Sequence, residues 1–324
     1  MIEIQRKLLE LHNDLLQLKK AENAISAKPL TEGGSIFIGA DSSESFLVLF
    51  GDTTVKPSPA KRFRNLRIDF STNYMLDIEG EFVTKSFTVL KLQAPESHLK
   101  NTFATVVASV IANLGTNPAT EDVRQAVSKI IELFLDTPKV SRSSIVGLFG
   151  ELLFIANAGD PNSAAAAWHV SPTAKTDFSF ERFLVEIKTT ESTDRIHNLK
   201  AGQLTHAGRQ VFLASVQVFE DSNGQNLLEL LEETLRSLSA LNQQRSVEIF
   251  FKTIGLELEE FDNIRLSLIG GSSEILIFDT SVLPRPVLPD TNLAASISGI
   301  SFDMNFSVLL SSGIEHSNLE TFGI

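Results

Sequence analysis

The chain has no cysteine, one tryptophan, one tyrosine and three methionines among 324 residues. Without cysteine, disulfides, thiolate zinc sites and cysteine nucleophiles are excluded, a composition that suits a reducing cytoplasm. Six histidines are present, but none is spaced as H-x3-H, so the helical zinc signature is missing too. There is no P-loop pattern and no G-x-S-x-G elbow. No run approaches the ~18 consecutive apolar residues of a membrane span. The opening MIEIQRKLLELHND mixes charge into its apolar positions, where a signal peptide would carry an unbroken apolar stretch. The expectation is a cytoplasmic protein with no membrane partner. Basic residues are scarce as well, 28 Lys and Arg against 40 Asp and Glu, for a formal net charge of −12. That balance argues at first against a nucleic-acid partner.

The charge is regional, which softens the objection. Residues 253–324 carry ten acidic side chains against Arg265 and Arg285, a balance of −8 that leaves only −4 for residues 1–252. Within the latter, Lys61, Arg62, Arg64 and Arg67 cluster around Phe63, and from Lys175 to Arg209 six basic residues outnumber five acidic ones. A chain of this length holds two or three domains and buries a sizeable core without difficulty.

Leucines 8, 11, 15 and 18 recur at helical spacing and predict a helix over 2–20. SIFIGA, SFLVLFGD, FRNLRIDF and EFVTKSFTVLKL then read as strands of a small antiparallel sheet, separated by Gly, Pro, Ser and Asp. Helical patterns follow over 102–114, from Thr120 (as N-cap) and over 144–157, the last ending at Gly159. A hairpin, a short helix containing Gln203, the strand VFLASVQV and a leucine-rich helix over 227–238 come next. Beyond residue 246 the runs VEIFFKTIGL, IRLSLIG, EILIFD and ISFDMNFSVLL read as strands, with Gly270-Gly271 as a turn and Pro284–Pro289 as a rigid connector.

The hairpin carries the chemistry. In AKTDFSFERFLVEIKTT, Phe178, Phe180, Phe183, Val185 and Ile187 form one face, and Asp177, Ser179, Glu186 and Lys188 the other. A turn centred on Glu181-Arg182 makes paired residue numbers sum to 363 and sets Asp177 directly opposite Glu186. Like charges in that position destabilise a hairpin, and a divalent metal between them is the simplest remedy. Upstream, Glu151 has Gly147, Leu148, Phe154 and Ile155 as its helical neighbours. A carboxylate on such a face is costly. It either snorkels at the edge of the face or points toward the Asp177–Glu186 pair and shares its metal. Trp168, just before the hairpin, reads as a core or wall residue rather than a base-stacking platform. Arg195 and His197 read equally well as phosphate contacts or as an exposed strand end.

GELLFI, TDF, VEIKTT and AGQL in this order resemble the PD-(D/E)XK nuclease superfamily, with its restriction-endonuclease-like fold, over roughly residues 143–209. Thr176 stands where the family name has Pro. The resemblance implies an α/β (α+β) core over 96–245, flanked by an N-terminal helix and β-rich region (1–95) and an acidic C-terminal β-rich region (246–324). It implies Mg²⁺, with Mn²⁺ as substitute, held by Asp177, Glu186, the Ile187 carbonyl and Glu151. Lys188 would orient the attacking water, and Gln203 would support the nucleophile or a nearby phosphate. The expected activity is hydrolysis of DNA by an endonuclease of a bacterial restriction or phage-defence system, with protein partners of that system; cutting both strands takes two active sites, which a homodimer would supply. A nucleic-acid-binding or structural subunit that keeps the fold without independent cleavage is the alternative.

Overall fold

The computed structural model describes residues 1–18, 24–51, 58–63, 65–93, 97–135, 141–169, 175–254, 263–286 and 299–323. The chain divides into two compact units, 1–138 with 243–259, and 139–242 with 260–324. The three segments read along the sequence are each contiguous, whereas each unit is assembled from two stretches.

In the first unit, α1 (Ile2–Leu16) precedes β1 (Ile25–Pro29), β2 (Ile36–Ala40), β3 (Phe46–Gly51), β4 (Ser58–Arg62), β5 (Leu66–Ile78) and β6 (Glu81–Leu92). These strands form one sheet in the order β1-β2-β3-β6-β5-β4, antiparallel as expected. It also curls back on itself, because β1 pairs in parallel with β5 through Ile25–Leu76 and Ser26–Asp77. Helices α2 (Ser97–Ile111) and α3 (Thr120–Leu135) belong to this unit. Thr120 is the first helical residue rather than the cap. Lys61 and Arg62 are exposed on β4, Arg67 binds Asp69 at 2.9 Å, and Arg64 lies outside the described residues.

The second unit begins with α4 (Arg142–Asn157) and α5 (Pro161–Ala167). Ser141 caps α4 by accepting from the Ser144 amide. The helix stops at Ala158, in extended conformation, so Gly159 supplies no left-handed cap, and Asp160 starts the next helix by accepting from Asn162 and Ser163. Then come β7 (Phe178–Ser179), β8 (Phe183–Thr190), β9 (Ile196–Lys200), a 3₁₀ turn at Ala201–Gln203, β10 (Gln210–Gln225) and α6 (Leu227–Arg236). Helix α7 (Ala240–Ile254) runs on from this unit into the first.

Helix α7 corrects the strand expected over VEIFFKTIGL. Val247, Phe250, Phe251 and Ile254 are buried at spacings of three and four, a helical period that overrides the strand preference of Val, Ile and Phe. The run continues with β11 (Leu266–Leu268), β12 (Leu276–Asp279), β13 (Ser301–Asn305), α8 (Phe306–Ser311), β14 (Ser317–Asn318) and α9 (Leu319–Phe322). ISFDMNFSVLL is thus strand and then helix. Asn305 makes the switch, accepting from the Val308 amide as N-cap. Gly270 and Gly271, both at positive φ, turn the chain between β11 and β12, as expected. The Pro284–Pro289 connector lies outside the described residues from position 287 onward.

The sheet of this unit runs β14-β12-β10-β8-β7, with β11 also on β10. Strands β8 and β10 are parallel, and the β7, β12 and β14 pairings are antiparallel, giving the mixed sheet of an α/β nuclease-like fold. Strand β8, between β10 and β7, is buried along residues 184–187, and α4 packs on it. No helix among the described residues is long and apolar enough to cross a membrane.

Candidate active site

The hairpin adopts the register that the turn position dictates. Phe178 pairs with Val185 and Ser179 with Leu184, and the Phe180 amide closes the turn onto the Phe183 carbonyl at 3.0 Å. One pair further out, Asp177 stands across from Glu186. Asp177 is fixed at both ends: its Oδ2 accepts from the Ile187 amide at 2.7 Å, and its carbonyl accepts from the His169 amide at 2.8 Å. Ile187 is buried.

Glu186 is only 2% exposed. Its Oε1 accepts from Lys188 Nζ at 2.7 Å and from Gln203 Nε2 at 2.6 Å. The Gln203 amide is itself oriented, because its Oε1 accepts from the Lys200 amide at 3.3 Å. Glu186 Oε2 is buried with no hydrogen-bond partner among the described residues. A charged oxygen in that condition is expensive unless a proton or a cation meets it.

Glu151 reaches the hairpin from α4. That helix can lie close to β8 because residue 150 is glycine: a Cβ there would sit 1.8 Å from Thr189 Oγ1 and 2.9 Å from Thr189 Cβ. Glu151 Oε2 accepts from Trp168 Nε1 at 2.6 Å and lies 2.9 Å from His169 Nε2. Glu151, His169 and Asp177 each offer one ligand atom, all within 4.8 Å of one another. Burial, reinforced by Glu151 and Glu186, raises the Asp177 pKa well above the usual carboxylate range, against the pull of the Ile187 amide and Lys188. Burial also raises that of Glu186, with Lys188 opposing and Glu151 adding to the rise.

The structure therefore brings together Glu151, Asp177, Glu186, Lys188 and Gln203, and adds two residues that sequence reasoning did not place in the site. Trp168 is fully buried, as a wall residue should be, and its indole N–H also holds Glu151. His169 sits at φ +40°, in the left-handed region, held by the bond from its amide to Asp177 and the bridge between Trp168 and Phe178. The only signal was a Trp-His pair seven residues before the motif; no helical or strand period marks it.

Arg195 and His197 are neither phosphate contacts nor an exposed strand end. Arg195 is 4% exposed and donates to the Ser215 carbonyl and hydroxyl and to the Glu274 carbonyl. His197 Nε2 lies 2.7 Å from Ser215 Oγ. Burial, then the nearby Arg195 and Lys188, push the His197 pKa down to about 3, so the ring is neutral.

A family model described as "Putative PD-(D/E)XK family member, (DUF4420)" matches residues 14–256. The chain belongs to this family. The match spans the candidate site and most of the first unit. No curated protein and no solved structure matches the chain.

Proposed function

We propose that the chain is a metal-dependent nuclease that hydrolyses phosphodiester bonds of DNA. The observation that carries this reading is the convergence of Glu151, His169 and Asp177 within 4.8 Å of one another, with Glu186 across the hairpin holding Lys188 and its buried Oε2 unmet among the described residues. The donor set fits a divalent cation: Glu151, Asp177 and His169 would hold it, with Glu186 beside them. The expected ligands were all oxygens, as Mg²⁺ prefers. An imidazole among them suits a transition-metal ion better than Mg²⁺. When bound, such an ion supplies counter-charge for the oxygens of the reacting phosphate and a water ionised near neutral pH.

The chain's own residues do the positioning. Lys188, anchored on Glu186, directs an ammonium at the space where the attacking water would lie and favours its deprotonated form. Gln203 and Lys188 together fix the Glu186 carboxylate, while Trp168 fixes that of Glu151. A place in a bacterial restriction or phage-defence system follows from the resemblance, and the acidic stretch 253–324 suits a protein partner better than DNA. Incubating purified protein with supercoiled plasmid, linear duplex and single-stranded DNA in Mg²⁺ or Mn²⁺ tests the reading. Cleavage by the parent chain and none by Lys188→Ala is the expected result. Binding without cleavage in either metal would replace it with a DNA-binding subunit.

A further inference from the structure

Beside the acid cluster lies a cleft of about 610 Å³, lined by Lys175, Lys200, Gly202, Gln203, Gly299 and Ser301. We propose that this cleft seats the sugar-phosphate backbone of the nucleic-acid strand next to the bond being cut, and reads charge rather than base. The inference rests on the nuclease reading and says where its substrate runs. Gln203 connects the two places, lining the cleft while its amide bonds Glu186 at 2.6 Å.

The lining is cationic. Lys175 and Lys200 are exposed, no carboxylate lines the cleft, and neither lysine has a carboxylate partner among the described residues. Ammonium groups of this kind meet phosphates as point charges. No aromatic ring among the described residues lines it, so these offer no platform on which a base could stack. Two glycines add a separate indication. Gly202 does not adopt positive φ, and a Cβ built on Gly202 or Gly299 meets nothing within 4 Å among the described residues. Folding does not require glycine at position 202. Their bareness leaves peptide groups open to close approach by a ligand.

The test uses the full chain in a Lys188→Ala background with Mn²⁺, so that turnover does not intervene. Binding of labelled single-stranded and duplex oligonucleotides of about twenty nucleotides is followed by fluorescence anisotropy over a range of salt. Lys175→Ala with Lys200→Ala should weaken binding and flatten the dependence of log K on log salt by about 1.8 for duplex or about 1.4 for a single strand. The two Lys→Arg changes should preserve the slope. Gly202→Leu should weaken binding with an unchanged melting temperature. The probe that loses its slope identifies the strand form held there. Unchanged affinity and slope in the double alanine variant would overturn the inference, while DNA cleavage by the parent chain would leave the nuclease reading standing. If the parent chain neither binds nor cuts nucleic acid, both fall together.

Discussion

Asp177→Asn separates charge from shape at the centre of the site. Asparagine keeps the volume, and its Oδ1 can still accept from the Ile187 amide, now 2.7 Å from Asp177 Oδ2. What disappears is one negative charge, within 4.8 Å of Glu151 and across the hairpin from Glu186. Two unit charges at 4.8 Å repel by roughly 3 kcal/mol at an effective dielectric of about 20, and partial solvent access at Asp177 and Glu151 reduces this to about 1–2 kcal/mol. Against that gain, replacing a charged acceptor by a neutral one costs about 1 kcal/mol. Without metal, the variant should therefore be as stable as the parent or about 1 kcal/mol more stable. The parent should gain about 2.7 kcal/mol from Mn²⁺ at a hundred times its dissociation constant, and the variant little. A proton can stand in for the metal. Because the Asp177 pKa is raised in the fold, the neutral form is favoured there. The metal-free parent should gain stability as pH falls through that raised value toward the ordinary carboxylate range, and the variant should lack this gain. Urea titrations with EDTA or Mn²⁺, at two pH values, measure all of this. An Asp177→Asn protein that responds to Mn²⁺ as strongly as the parent would refute the metal-site assignment.

Lys188→Ala should still be stabilised by Mn²⁺ yet lose at least about 10²-fold in cleavage, the contribution of a positioned proton-transfer group; retained cleavage would remove Lys188 from the chemistry. Gly150→Ala should destabilise the second unit by about 1–3 kcal/mol through overpacking on Thr189, with partial recovery in Gly150→Ala/Thr189→Ala, as chemical denaturation would show. His197 has its pKa depressed to about 3, below the ordinary ~6.5, so its share of stability is present above pH ~6.5 and drains away as pH falls toward 3. His197→Gln should flatten that acid limb, and an unchanged limb would contradict the buried neutral ring. Replacing Lys61, Arg62, Arg64 and Arg67 by alanine should lower the salt slope of DNA binding by about 2–3, since Arg67 is already engaged by Asp69.

The parts of the site legible in the sequence are those fixed by local rules. A turn at Glu181-Arg182 and a period of two set the hairpin register, and with it the face shared by Asp177, Glu186 and Lys188. An acid among Gly147, Leu148, Phe154 and Ile155 marked Glu151 as costly. What could not be read depends on distant chain. The burial of Arg195 and His197 comes from Ser215, about twenty residues on, and from Glu274, 79 residues on. His169 reaches Glu151 only because an unperiodic segment adopts a left-handed φ. The helix over 240–254 was misread because its Val, Ile and Phe content suits a strand, while its burial follows a spacing of three and four.

The charges of the site argue for a device that exchanges protons for metal. Glu151, Asp177 and Glu186 against Lys188 leave two negative charges when His169 is neutral. Each acid already has donors of its own: Trp168 and His169 for Glu151, the Ile187 amide for Asp177, Lys188 and Gln203 for Glu186. These donors fix the carboxylates without cancelling their mutual repulsion, since all but the ammonium are neutral groups. The remainder can be relieved by protonation, which the raised pKa values of Asp177 and Glu186 favour, or by a single divalent cation that brings the cluster to neutrality. The two routes compete for the same oxygens, so metal binding must release protons and weaken as pH falls. Calorimetry of Mn²⁺ binding in buffers of different ionisation enthalpy would count those protons. A count of zero at neutral pH would mean that the carboxylates are already ionised and that burial does not hold them protonated.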